Sequence, residues 1–177
     1  QPEINEVILS GGDPLMAKDG HLAWFIQQLE SIPHVTRLRI HTRLPVVIPS
    51  RLTPELVEIL AGTRLKPIMV LHINHANEIS PDLRRRCQFL KQRGIWLLNQ
   101  AVLLKGINQQ LAEQVALSEA LFDADIQPYY LHLLDKVEGA AHFDLPEAEA
   151  LDLYKSMMVE LPGFLLPRLV REIGGEA

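Results

Sequence analysis

Apolar residues recur along the chain in two alternating rhythms, short β-rich runs followed by stretches at helical spacing. Ile4 to Leu9 reads as a strand and closes in Ser10-Gly11-Gly12-Asp13-Pro14, a strong loop signal. His21 to Ile32 sets Leu22, Phe25, Ile26 and Leu29 on one helical face. Thr36 to Thr42 alternates polar and apolar residues, the period of a strand with one buried face. Thr53-Pro54-Glu55 supplies an N-cap and a first-turn proline for a helix buried through Leu56, Ile59 and Leu60. Pro67 to Asn74 is a nearly continuous apolar strand. Ser80-Pro81-Asp82 opens a helix to about Arg93, with Gly94 suited to its end. A strand from Ile95 to Gln100 or beyond, a helix over Asn108 to Ala124 and a strand over Gln127 to Leu133 follow. A helix over Pro146 to Leu161 and an extended segment over Leu165 to Arg171 complete the series.

Strands recur about every 30 residues, the size of one βα unit. Such alternation predicts an α/β protein with a parallel sheet and right-handed crossovers. No linker or low-complexity stretch interrupts it, so residues 1–177 read as one domain. Two architectures fit, an open doubly wound sheet and a whole or partial (βα) barrel. Both place chemistry at the C-terminal strand ends.

Composition narrows the classes. With 47% hydrophobic and 22% charged residues the chain is an ordinary globular one, neither disordered nor coiled coil. No apolar run approaches the roughly 20 residues of a membrane span. A net charge of −5 argues against a nucleic-acid-coating surface, and the one dense basic run, Arg84-Arg85-Arg86, reads as a solvated helix face. The single cysteine, Cys87, allows no internal disulfide and no multi-cysteine metal cluster, and points to a reducing, cytoplasmic setting.

The expected strand ends are polar throughout: Ser10-Gly11-Gly12-Asp13, His41-Thr42-Arg43, His72-Ile73-Asn74-His75, Asn99-Gln100, His132 with Asp135, and Arg171-Glu172. Consecutive ends of that kind mark a binding face. The glycines let a ligand approach the backbone closely, and Asp13 can accept from an amine or a hydroxyl. No G-x-G-x-x-G, Walker, H-E-x-x-H or G-x-S-x-G pattern occurs. His72 and His75 sit at an odd spacing that sends them to opposite faces of a strand, so metal ligation is not expected. Tyr129-Tyr130 reads as packing.

Taken as a set, certain segments resemble the lysine 2,3-aminomutase family of radical S-adenosylmethionine enzymes. They are S-G-G-D-P at 10–14, H-T-R-L-P-V-V at 41–47, P-S-R-L-T at 49–53, H-I-N-H-A-N-E at 72–78, N-Q-A-V-L-L-K-G-I-N at 99–108 and P-Y-Y-L-H-L-L-D-K-V-E-G-A-A-H-F at 128–143. The last of these, with R-E-I-G-G-E-A at 171–177, is most similar to the branch that makes β-lysine for elongation factor P. The resemblance implies a partial (βα) barrel of the radical S-adenosylmethionine type, here lacking its first strand. It implies a [4Fe-4S] cluster, S-adenosylmethionine and pyridoxal 5′-phosphate as cofactors, and conversion of α-lysine to β-lysine. Ser10, Gly11, Gly12 and Asp13 then match the loop holding the methionine end of S-adenosylmethionine, with His72 and Gln100 as further contacts. Arg43 matches a basic residue near the pyridoxal phosphate, and Asp135 and Glu172 match the carboxylates that receive the far ammonium of lysine. Glu172 stands where the family often has Asp. The cluster's cysteine run falls before Gln1 and the pyridoxal lysine after Ala177, so this chain reads as an internal fragment, truncated at both ends and inactive alone. Open strand edges favour a homo-oligomer. The rival readings are a catabolic aminomutase acting on free lysine and a non-catalytic binding module.

Overall fold

The computed structural model describes residues 3–134 and 141–171. Six strands form one all-parallel sheet: β1 (Glu6–Leu9), β2 (Arg37–Thr42), β3 (Lys66–His72), β4 (Trp96–Leu103), β5 (Gln127–Leu133) and β6 (Arg168–Val170). Between them run α1 (Asp19–Glu30), α2 (Leu44–Val47), α3 (Pro54–Ala61), α4 (Pro81–Gln92), α5 (Leu111–Asp123) and α6 (Glu147–Glu160). No described helix is long and apolar enough to cross a membrane.

Strand order decides between the two architectures. A doubly wound sheet reverses direction at a switch point. Here the spatial order is β1-β2-β3-β4-β5-β6 with no reversal. Right-handed crossovers that always advance one strand leave every helix on one face, the arrangement of a (βα) barrel. The packing agrees. Leu38 and Ile40 of β2, Met69 and Leu71 of β3 and Leu97 of β4 meet Leu56, Leu60, Leu83 and Leu90 of the helices in one large core. Among the described residues the opposite face carries a small apolar floor of Ile68, Val70 and Leu98, with Tyr129 against it.

That second face is curled. Arg39 on β2 donates to the Tyr129 hydroxyl on β5 at 3.3 Å and to Glu6 on β1 at 3.0 Å. Three strand spacings separate β2 from β5, about 14 Å in a flat sheet. The two side chains meet because they lean toward each other over Ile68, Val70 and Leu98, as on the inside of a barrel wall. Tyr129 reaches this position at a β-bulge, where the β4–β5 register shifts between Asn99 and Gln100. A bulge of this kind re-aims a side chain. The tyrosine pair expected to serve only in packing, with rings stacked at 3.8 Å, thus also anchors the interior crossbar.

The local sequence signals account for the helix starts. Thr53 and Ser80 each accept from the backbone N–H three residues on, at 3.1 Å, and each precedes a first-turn proline. The basic run at 84–86 is a helix face held by acids: Arg85 and Arg86 bond Asp82, and Arg86 also donates to the Leu52 carbonyl.

Candidate functional site

A cavity of about 500 Å³ opens at the C-terminal ends of β1 to β4, on the inner face of the sheet. All seven residues expected from sequence to contact a cofactor line it: Ser10, Gly11, Gly12, Asp13, Arg43, His72 and Gln100. Arg39, His41, Thr42 and Ile8 complete the lining. Gly11 and Gly12 follow β1 with φ of +82° and +56°, a left-handed backbone that other residues adopt only with strain. A Cβ built on either would meet nothing within 4 Å, so backbone conformation calls for glycine here and open space lies beside it.

Much of the polar rim is committed internally. The Asp13 carboxylate accepts four hydrogen bonds: from Leu15 N–H at 3.0 Å, the Thr42 hydroxyl at 2.6 Å, Arg43 N–H at 2.8 Å and Leu44 N–H at 2.9 Å. Two carboxylate oxygens offer about four acceptor positions, so none is left for a cofactor amine. Burial raises the Asp13 pKa, but these bonds outweigh it and hold the carboxyl below its ordinary value. Asp13 therefore joins the loop after β1 to the end of β2. Arg51 supports the same loop, donating to the carbonyls of Leu15 and Ala17 and pairing with Asp19 at 2.7 Å.

Arg43 is likewise engaged. Its guanidinium donates to the His72 carbonyl at 2.9 Å and to Glu78 at 2.7 Å. Glu78 in turn accepts from the N–H groups of Asn74 and His75. The arginine that the resemblance put near a phosphate is thus a clasp from β2 to the turn after β3. Asn99 exchanges two 3.0 Å bonds with the Ile73 backbone, and Asn74 accepts from Val102 N–H. Asn108 donates to the carbonyls of Asn74 and Val102. One clasp per strand junction fixes the ends of β1 to β4 against one another. His75 belongs to this framework too, capping the turn at Ala76–Glu78.

The side chains left to face a ligand are few. Neither Ser10 nor Gln100 has a side-chain hydrogen bond among the described residues. The Nε2 atoms of His41 and His72 are buried without a partner there, as is Nε of Arg39. Burial pushes His41 down to about 4, with Arg39 and His72 adding to the shift against the opposing pull of Glu6. Burial also lowers His72, with Arg43 assisting and Asp13 opposing. Both rings are neutral at physiological pH. Arg39 and His41 went unassigned in the sequence, although the alternation of β2 signals them. Leu38 and Ile40 are buried toward the helices, so Arg39 and His41 face the other way.

Asp135 and Glu172 lie outside the described residues. Cys87 does not fit a cluster ligand: it is buried in α4, and burial raises its thiol to about 12. Among the described residues no group of three or more His, Cys, Asp or Glu side chains could hold a metal.

No protein-family model matches the chain. Solved structures match its fold. A radical SAM methyltransferase from Sphaerobacter thermophilus superimposes with a TM-score of 0.70 at 14% identity, covering 97% of this chain and 52% of that one. Streptococcus suis SuiB, solved bound to S-adenosylmethionine, gives 0.66 at 16% identity, covering 94% and 39%. Sequential strand order, inner-face cavity and these neighbours define a partial barrel of the radical S-adenosylmethionine type. Sequence similarity is more specific. The L-lysine 2,3-aminomutases of Haemophilus influenzae and Escherichia coli are 56% and 53% identical over 98% and 99% of this chain. That of Clostridium subterminale is 37% identical over 98%. Over nearly its whole length the chain is thus similar to L-lysine 2,3-aminomutases, and it spans about half the length of the first two relatives, 52% and 51%.

Proposed function

We propose that the cavity holds S-adenosylmethionine and that the chain is the core of an L-lysine 2,3-aminomutase, an isomerase acting on lysine. The observation that carries this is the convergence of Ser10, Gly11, Gly12, His72 and Gln100 on one cavity of suitable size, in a chain more than half identical to enzymes of that name. The fit is chemical as well. An exposed left-handed Gly-Gly turn admits a ligand's zwitterionic end close to the backbone. Two neutral imidazoles and a carboxamide suit the uncharged nucleoside end. Bound there and cleaved with one electron from a reductant, S-adenosylmethionine would supply methionine and a carbon radical able to abstract hydrogen.

The chain's own residues bind and orient. Asp13, Arg43, Glu78 and Asn99 hold the loops in place. The floor of Ile68, Val70, Leu98 and Tyr129 keeps water from beneath the cavity. The described residues do not fit the [4Fe-4S] cluster, and Arg43, expected near the phosphate of pyridoxal phosphate, is engaged by the His72 carbonyl and Glu78. Those two cofactors rest on the family resemblance alone, as does the assignment of Asp135 and Glu172 to the substrate ammonium.

A role in modifying elongation factor P, in the cytoplasm, is part of the same reading. Its support is the resemblance of residues 128–143 and 171–177 to that branch; the relatives, all named L-lysine 2,3-aminomutase, do divide by identity. Three, from Haemophilus, Escherichia and Buchnera, share 52–56% of their residues with this chain, against 34–37% for others such as those of Clostridium subterminale and Bacillus subtilis. The test is anaerobic incubation of the complete protein carrying this chain with S-adenosylmethionine, pyridoxal phosphate, reductant and L-lysine. Chromatographic appearance of β-lysine is expected. Cleavage of S-adenosylmethionine with no β-lysine formed would refute the aminomutase reading.

A further inference from the structure

The clasps leave one cavity residue without an explanation. His41 lies on the inner face of β2, two residues beyond Arg39 and directly before the clasped pair Thr42 and Arg43. Its ring meets that of His72 edge to face, with centroids 5.9 Å apart and an interplanar angle of 69°. No hydrogen bond to a described residue engages the His41 ring, and its buried Nε2 is unsatisfied. Buried polar atoms are nearly always paired, and each exception calls for a reason. Packing alone does not provide one here, because an apolar ring would fill the same space without leaving a nitrogen unsatisfied.

The surroundings say what kind of group would satisfy it. Arg39, two residues before it on the same strand, is already balanced by Glu6 at 3.0 Å. Burial and Arg39 keep the His41 ring uncharged. A neutral imidazole beside a neutral imidazole and the Gln100 carboxamide offers donors and acceptors but no net charge. Such a set recognises hydroxyls and ring nitrogens and gives no advantage to phosphate or carboxylate.

We propose that His41 is a binding residue of this cavity, giving an imidazole hydrogen bond to a hydroxyl or ring nitrogen of the nucleoside half of the bound molecule. The inference rests on the reading that the cavity takes S-adenosylmethionine. His41 then stands on the opposite side of the ligand from Gln100, two strands away across β3.

The test uses the 177-residue chain, uniformly ¹⁵N-labelled and titrated with S-adenosylmethionine. The His41 ring nitrogens should shift with the same saturation curve as those of His72. His41→Phe, which keeps the ring and removes both nitrogens, should weaken binding about fivefold, the loss of one neutral hydrogen bond. Should His41→Phe fail to fold by circular dichroism, the ring ¹⁵N shifts of the unaltered chain decide alone. Saturable binding with unmoved His41 nitrogens, or with unchanged affinity in a folded His41→Phe, overturns the role of His41 and leaves the cavity reading intact. No saturable binding by the unaltered chain overturns the cavity reading, and His41's role with it.

Discussion

Replacing Asp13 by Asn separates two roles that the sequence alone leaves merged. If the carboxylate were a cofactor contact on a loop, the substitution would weaken ligand binding and spare stability. The structure predicts the reverse emphasis. One oxygen of Asp13 accepts from Arg43 N–H and Leu44 N–H, and the other from Leu15 N–H and the Thr42 hydroxyl. An asparagine amide has one acceptor oxygen and one donor NH₂. With the oxygen toward Arg43 and Leu44, the NH₂ can donate to a reoriented Thr42 hydroxyl but opposes Leu15 N–H. With the amide flipped, it opposes two backbone donors. The better orientation loses one hydrogen bond and the charge on the rest. Bonds to a charged group contribute about 1.5–3 kcal/mol, and an unsatisfied donor costs about 1–3 kcal/mol. Asp13 is only half-buried, which places the expected loss at about 3 kcal/mol. For a chain of this size that is a fall in Tm of about 6–12 °C. Thermal unfolding followed by circular dichroism measures it directly. A Tm within about 2 °C of the unaltered chain, together with weaker S-adenosylmethionine binding, would refute the clasp and restore the cofactor contact.

The buried histidines predict acid sensitivity. His41 titrates near 4 in the fold against about 6.5 unfolded, so between those values the unfolded chain binds more protons and stability falls as pH falls, levelling off below about 4. The full shift corresponds to about 3 kcal/mol; solvent screening of a half-buried ring reduces this to about 1–2 kcal/mol, and His72 acts in the same direction. The urea midpoint should drop from pH 7 to pH 5 and drop less in His41→Phe; equal drops in both would contradict the assignment. Cys87, fully buried and raised to about 12, should resist Ellman's reagent at pH 8 until the chain unfolds, and rapid stoichiometric labelling of the native chain would contradict its placement.

The strands, the longer helices and the positions of the site loops were legible in the sequence because each rests on a local signal. Thr53 and Ser80 cap the helices they precede, and the apolar run of β3 is buried as its composition requires. The choice between sheet and barrel was not legible in the patterning, which carries strand type but not strand order; the family resemblance pointed to the partial barrel that the strand order bears out. The division of labour at the rim was not legible either. Asp13, Arg43, Asn74 and Asn99 look like ligand-binding residues along the chain. Their partners lie 26 to 35 positions away or on a neighbouring loop, and only the fold shows that they bind protein backbone and Glu78. α2 was missed for the same reason: its first N–H groups meet Asp13, a cap that local sequence does not contain. Conversely, the alternation of β2 by itself places Arg39 and His41 on the face opposite Leu38 and Ile40.

The most direct test of the central claim is a backbone amide map of the ¹⁵N-labelled chain titrated with S-adenosylmethionine. The cavity and the apolar hollow of about 430 Å³ lined partly by α1, including Leu22, Trp24 and Phe25, share Ile8, Ser10 and Gly11. Amides specific to each therefore discriminate between them. Binding in the cavity predicts saturable shifts at Gly12, His41, His72 and Gln100, with Leu22 and Phe25 unmoved. Shifts confined to Leu22, Trp24 and Phe25, or none at millimolar ligand, would contradict it.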